Sequence, residues 1–413
     1  MWFGKRRAEA RLSSELRYHL DKLTEEYAAS GMSPEAARLR ARQELSEALR
    51  LAPSLLPVRL NLARLLTASR EPAAALEVLD AKNTPEGQKR LVPFIVQRNW
   101  ALMALGNMEE LRKGIQLGLV ADRTPELLVQ DALAKTGEKN YPAAKTSLDE
   151  ALSQDPEYRP ALEALLRLYA LQNKSPEAIE KIRVYVAKRP QSALLLGILG
   201  NLLATDGKRD EARRMYLQAQ AAGPDNTNVI FALARLDVTE GKFDSARHGL
   251  TKLQSLDPKN PQVWMYSGLL EADRKNYPGA IGNFRKALDL DPKNAIALNN
   301  LAYMLATNPD HVDEALKFVQ QAKEISPDLP HIDDTLGWVL YNKGIYQSAV
   351  GYLETARNKY DDPAIRYHLA MTYSKLGDKR GTPLLRAALR AAPDLPEAEI
   401  AQRLLAEMPR GAK

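Results

Sequence analysis

Apolar residues recur along this chain three and four apart, the spacing of one helix face, and the pattern then repeats as a block. Proline closes similar phrases at Pro156, Pro190, Pro224, Pro258 and Pro292, each 34 residues after the last. Pro327 follows after 35, with the extra residue near Asn308-Pro309-Asp310. Twelve residues before these prolines lie Ala144, Ala178, Ala212, Ala246, Ala280 and Ala315. Eight before them come Leu148, Ile182, Tyr216, Leu250, Phe284 and Val319, and five before them Ala151, Tyr185, Ala219, Leu253, Ala287 and Ala322. The three rows share one face of a helix. The small residues let a neighbouring helix approach, and the larger one fills the space between.

The first half of each phrase predicts a second helix. In the clearest copy it starts at Pro261 and carries Trp264, Gly268 and Leu270; the break Asn276-Tyr277-Pro278 then starts a helix with Ala280, Phe284 and Ala287. Proline in a first turn loses no hydrogen bond, whereas in mid-helix it costs about 3 kcal/mol. Each unit therefore reads as helix, short turn, helix.

These residues resemble the tetratricopeptide repeat of bacterial proteins: residues 261–292 match its pattern at Trp264, Gly268, Ala280, Phe284, Ala287 and Pro292, and depart at Ser267 and Glu271. The resemblance implies an all-α fold, an α-solenoid of about ten helix pairs forming a right-handed superhelix. Weaker copies fall at 55–82 and 89–120, and clearer ones at 330–360 and 363–393. The expected organisation is a helical prefix over 1–52, the solenoid over 53–395, and a polar capping helix and tail over 396–413.

Two further resemblances are local. Residues 5–47, with Glu15-Leu-Arg-Tyr-His-Leu20 and Gly31-Met-Ser-Pro-Glu-Ala-Ala37, resemble the cytoplasmic N-terminal prefix of macrolide-exporter-type permeases. The prefix reads as helices over roughly 8–29 and 33–51, the second capped by Ser33, with a repeat-like ending that would dock on the solenoid. Leu298-Asn-Asn-Leu-Ala-Tyr-Met-Leu305, Asp334-Thr-Leu-Gly-Trp-Val-Leu-Tyr341 and Ile365-Arg-Tyr-His-Leu-Ala370 resemble repeats of bacterial proteins tied to exopolysaccharide and exosortase-type export.

Composition narrows the function. The 58 Lys and Arg against 52 Asp and Glu are interleaved, which reads as solvated helix faces rather than a phosphate-tracking stripe, so no nucleic-acid partner is expected. Without cysteine there is no zinc-thiolate site, iron–sulfur cluster or cysteine nucleophile. No phosphate loop, dinucleotide fingerprint, HExxH or GxSxG occurs, so neither catalysis nor a cofactor is expected. His331, Asp333 and Asp334 are close in sequence but point in different directions on a helix, so no metal site is expected. The start, Met1-Trp-Phe-Gly-Lys-Arg-Arg7, has charge without an apolar core behind it, and no apolar run reaches the roughly 20 residues of a membrane span. A cytoplasmic protein is expected. The basic N-terminus could touch an anionic membrane surface, with a frayed basic end as the preferred reading.

The expected function is a non-catalytic scaffold that binds a peptide or helix of another protein. In the resembling family the first helix of each pair lines the concave face. Counting in register, the groove there gathers Arg235, Met265, Asn299, Tyr303, Asp334, Trp338, Tyr341 and Tyr367, with aromatic area and an amide for a peptide backbone. These rings would otherwise pack between repeats. Gly197, Ala232 and Thr335 stand where a chaperone-tail clamp needs charged or amide groups, so that ligand is not expected. The alternative is an accessory of a bacterial envelope, export or exopolysaccharide system at the membrane surface.

Overall fold

The computed structural model describes residues 32–393 and 398–407. Those residues form 23 α-helices and no strand. Contacts divide the chain into two compact units, one ending at Pro190 and the other beginning at Gln191.

The first unit begins with α1 (Pro34–Leu51). Its pairs are α2 (Leu56–Ala68) with α3 (Pro72–Leu79), then, after the single turn α4 (Glu86–Lys89), α5 (Val92–Leu105) with α6 (Met108–Ala121). They continue with α7 (Pro125–Gly137) and α8 (Tyr141–Gln154), then α9 (Arg159–Leu171) and α10 (Ser175–Lys188). The second unit holds α11 (Ala193–Thr205) with α12 (Arg209–Ala222), α13 (Thr227–Thr239) with α14 (Phe243–Leu256), and α15 (Pro261–Asp273) with α16 (Tyr277–Leu290). After these come α17 (Ala295–Ala306) with α18 (Val312–Ile325), α19 (Pro330–Asn342) with α20 (Tyr346–Lys359), α21 (Pro363–Lys375) with α22 (Gly381–Ala391), and the final helix α23 (Ala398–Glu407). The described residues thus contain the ten expected pairs.

The rows of small and large residues are the core. Ala144, Ala212, Ala246, Ala280 and Ala315 are wholly buried, and Leu148, Ile182, Tyr216, Leu250, Phe284 and Val319 are almost so. Burying one such large side chain stabilises by roughly 1.5–3 kcal/mol. Helices within a pair approach closely where the first is smallest. A Cβ on Gly268 would lie 2.6 Å from the Phe284 ring, and one on Gly337 would lie 2.5 Å from Leu353. At the equivalent place α9 carries Leu166, and α9 and α10 touch over less of their surface than the other pairs.

Turns and caps keep the same period. Lys139, Asn173, Gly207, Gly241 and Lys275 take left-handed backbone at the turn inside successive pairs. Glycine does so freely, while Lys139 and Lys275 pay for their Cβ in strain. The extra residue before α18 is absorbed by a 3-10 turn, Pro309–His311, which replaces the left-handed turn. Ser192, Asn226, Asn260 and Asn294, again 34 apart, cap α11, α13, α15 and α17 by accepting from backbone N–H groups at 3.0–3.3 Å.

The helix expected over 33–51 is α1, with Ser33 accepting from the Ala36 N–H at 3.2 Å. It docks on the first repeat: Leu45 joins a core with Val58, Leu62 and Phe94, and Arg42 pairs with Glu71 at 2.7 Å. The helix expected over 8–29, the basic start, and the tail beyond 407 lie outside the described residues. No described helix is long and apolar enough to cross a membrane.

Candidate functional site

In each unit the first helix of a pair packs against its own partner and also against the first helix of the next repeat, for example α17 on α19 and α19 on α21. The first helices therefore form an inner layer. Residues four apart on one of them stack along a face, and equivalent positions on neighbouring helices lie side by side.

In the second unit this layer gathers six of the eight expected groove residues around one group that the sequence reading passed over. His368, at 1% exposure, stacks on Trp338 with ring centroids 4.3 Å apart. Its Nδ1 lies 2.8 Å from Asp334 Oδ1, and Asp334 is itself buried. The other face of the plate continues through Tyr341, parallel to Trp338 at 4.8 Å. Tyr367 and Tyr303 tilt against this stack, each with centroids 6.0 Å from a ring of it. Trp338 and Tyr367 are 6% and 1% exposed, so they support the surface rather than form it. Tyr303, Tyr341 and Asn299 are half-buried and reach it. Burial pushes the Tyr341 phenol upward from its ordinary pKa. Asn299 Oδ1 and His368 Nε2 are sealed from solvent without a hydrogen-bond partner. With nothing on Nε2, the Asp334–His368 pair lacks the hydroxyl or thiol that a nucleophilic dyad activates.

The neighbouring acid points elsewhere. Asp333, 1% exposed, accepts from Lys323 at 2.5 Å and Lys359 at 3.0 Å, while His331 meets Tyr360 edge to face. One residue along a helix turns a side chain through about 100°, which separates these groups. No metal-binding cluster of His, Asp and Glu occurs among the described residues.

The remaining expected residues sit one to two repeats earlier. Arg235 is exposed, and its guanidinium lies 5.7 Å from the Tyr266 ring and 6.0 Å from Phe231. Those two rings meet edge to face at 5.2 Å. Met265 is 5% exposed and belongs to the core, which takes it off the binding surface. Its neighbour Tyr266 takes that place, a shift of one residue. Neither Phe231 nor Tyr266 was among the expected residues, because the pattern alone does not say how far the helix is rotated. The result is a strip with a cation over two rings at one end and an amide and two phenols at the other.

The tetratricopeptide repeat family profile matches residues 132–193, 231–295 and 276–330. A TPR repeat-containing protein of Pseudomonas aeruginosa is 37% identical over 75 residues, which are 18% of this chain and 13% of that protein. The chain thus spans only about an eighth of the length of that curated relative. Among solved structures, the APC/C hetero-tetramer Cut9-Hcn1 aligns over 95% of this chain and 96% of its own, at 13% identity and a TM-score of 0.49. YrrB, described as a TPR protein with an unusual peptide-binding site, aligns over 46% of this chain and 97% of its own, at 19% identity and a TM-score of 0.34.

Proposed function

The chain is a tetratricopeptide-repeat protein of bacterial type, and on that premise we propose that its second unit holds a peptide or helix of a partner protein along the strip from Arg235 to Tyr341. Repeat proteins of this kind are in general protein-interaction scaffolds without catalysis. The observation that carries the finer reading is the division of labour within the strip. Buried Trp338, Tyr367, Asp334 and His368 fix a rigid backing, and half-buried Tyr303, Tyr341 and Asn299 present contact area in front of it. Rings held in place lose little entropy on binding, so a partner gains from their area directly. At the other end Arg235, over Phe231 and Tyr266, favours a segment that brings a carboxylate there.

The test is photo-crosslinking in native lysate, with benzoylphenylalanine at position 303, at position 235, or at Tyr352 on α20, a second helix of its pair. The same protein captured at 303 and 235 but not at 352 is the expected result. Capture only at 352, or different proteins at 303 and 235, would sink the reading.

A further inference from the structure

The last complete pair carries a feature on its outer side, away from the inner layer and independent of the strip. Second helices α20 and α22 flank a groove of about 430 Å³ there, with Tyr373 of α21 in its lining. Pro383, Leu384 and Ala387 give it an aliphatic wall on α22. Glu354, Arg357 and Asn358 line it from α20, and Arg380 stands at the start of α22.

Charge sets this groove apart. The whole chain nearly balances, with 58 Lys and Arg against 52 Asp and Glu, yet residues 354–392 hold eight against four. The one acid in the lining is already engaged. Glu354 accepts from the Tyr373 hydroxyl and, at 3.1 Å, from Arg380, whose guanidinium also lies 4.1 Å from the centre of the Tyr373 ring. Arg357 has a 3.5 Å pairing with Asp361, a carboxylate that Arg366 holds at 2.7 Å. Arg386 and Arg390, three residues on from Pro383 and Ala387, extend the wall along α22. Both are exposed, and neither forms an ion pair among the described residues. Arginines four apart on a helix repel one another, so this pair costs the helix a little and gives the fold nothing back.

Other hollows outside the inner layer are built differently. The one between α6 and α7 holds Arg112, Arg123 and Lys135, and each has its own acid: Glu138 at 2.7 Å, Glu150 at 2.5 Å and Asp131 at 2.5 Å. The one beside α10 sets Glu177 and Glu180 against Lys181. The α20–α22 groove instead has cations in surplus next to an aliphatic wall.

Surplus guanidinium groups call for anions, and the wall decides which. Arginine grips carboxylate and phosphate alike. A nucleic acid gains from rings on which its bases stack, and the ring here, Tyr373, is buried beneath Arg380. A lipid headgroup surface is flat and does not enter a recess between two helices. A peptide whose carboxylates are spaced by apolar side chains uses both features. We propose that the outer groove between α20 and α22 binds an acidic segment of another protein, its apolar side chains on Pro383, Leu384 and Ala387 and its carboxylates on Arg357, Arg386 and Arg390.

The test is fluorescence polarisation on the 413-residue chain with a capped dodecapeptide that alternates glutamate with leucine. Control peptides replace every glutamate by glutamine, or every leucine by serine. Saturable binding is expected, about tenfold weaker for either control and about tenfold weaker when salt rises from roughly 0.05 to 0.3 M. The double variant R386Q/R390Q, with folding confirmed by circular dichroism, should weaken it about five- to tenfold, and R386E/R390E should abolish it. The proposal is overturned by no saturable binding, by indifference to salt or to either control, or by wild-type affinity in R386Q/R390Q. Weakening by Arg235→Gln instead would overturn it by placing the peptide on the inner strip. Tighter binding of oligothymidylate or of phosphatidylglycerol vesicles would give the groove to a nucleic acid or a membrane. A dimer in sedimentation that R386Q/R390Q dissolves would give it to a second copy of the chain.

Discussion

The inner layer of the second unit is plugged with rings, whereas that of the first is hollow and edged with amides. Around α17, α19 and α21 the space between first helices is taken by Trp338, Tyr367 and His368, and the polar atoms that go in with them are mostly paired, Asp334 with His368 and Asp333 with two lysines. Around α2, α5 and α7 the same layer carries aliphatic residues that leave about 430 Å³ open, and Asn61 and Gln97 face it alone. The contrast teaches that aromatic content does not mark where a repeat surface is open. Large rings on first helices close the layer by filling it. Short aliphatic side chains with an amide among them leave room.

Removing a plug should give the largest effect. Trp338→Ala deletes a nearly buried ring that stacks on both Tyr341 and His368, and should cost about 3–5 kcal/mol. Guanidinium unfolding followed by circular dichroism measures it. A cost below 1 kcal/mol would mean that the plate is a loose surface feature and the comparison fails. Next comes Asp334→Ala, which leaves His368 Nδ1 buried without its acceptor and should cost about 2–4 kcal/mol. Replacing Asp334 and His368 together by leucine should cost less than the two single changes summed, because each single variant strands the other group.

A third effect is set by pH. Tyr216 packs over Gly200, and its hydroxyl donates to Asn201 at 2.8 Å. Burial pushes its pKa up to about 12. The unfolded chain releases this proton near the ordinary value of about 10, before the folded one does. The contribution is therefore complete below pH 10 and is lost as pH rises toward 12. Over that window the wild type should lose stability on the order of 2 kcal/mol more than Tyr216→Phe. Thermal melts at pH 9 and pH 11.5 compare the two. Parallel losses would show that this phenol is solvated in the folded state.

How much of this was written in the sequence divides along the same line. The alanine row, the closing prolines and the Ser33 cap were legible because each depends on residue type at a fixed spacing. The left-handed turn and the cap row share that spacing. They were obscured because Lys, Asn and Gly serve one position and Ser and Asn the other. The site was legible only in outline. Trp338, Tyr303 and Tyr341 come together, but the sequence cannot say that Trp338 is a support and Tyr303 a surface, since both are aromatic at equivalent positions of successive first helices. Met265 and Tyr266 differ by one residue, and only the rotation of α15 decides which faces out. The amides of the first unit went unseen because its early repeats are degenerate: α3 has 8 residues where later second helices have mostly 14, and Asn61 and Gln97 are 36 apart.

The smallest effect is the sharpest discriminator. Asn61→Leu makes the same kind of change as Asp334→Ala, polar to apolar at a site more than nine-tenths buried, yet it should leave stability unchanged or raise it by up to about 1 kcal/mol. No protein group loses a partner, and the new side chain places methyl groups against Leu60 and Val96 in space that is open. Equilibrium unfolding of the single variant and of Asn61→Leu with Gln97→Met should therefore show wild-type stability or better. A loss above 2 kcal/mol would make Asn61 a structural residue like His368. The two inner layers would then differ in side-chain size alone.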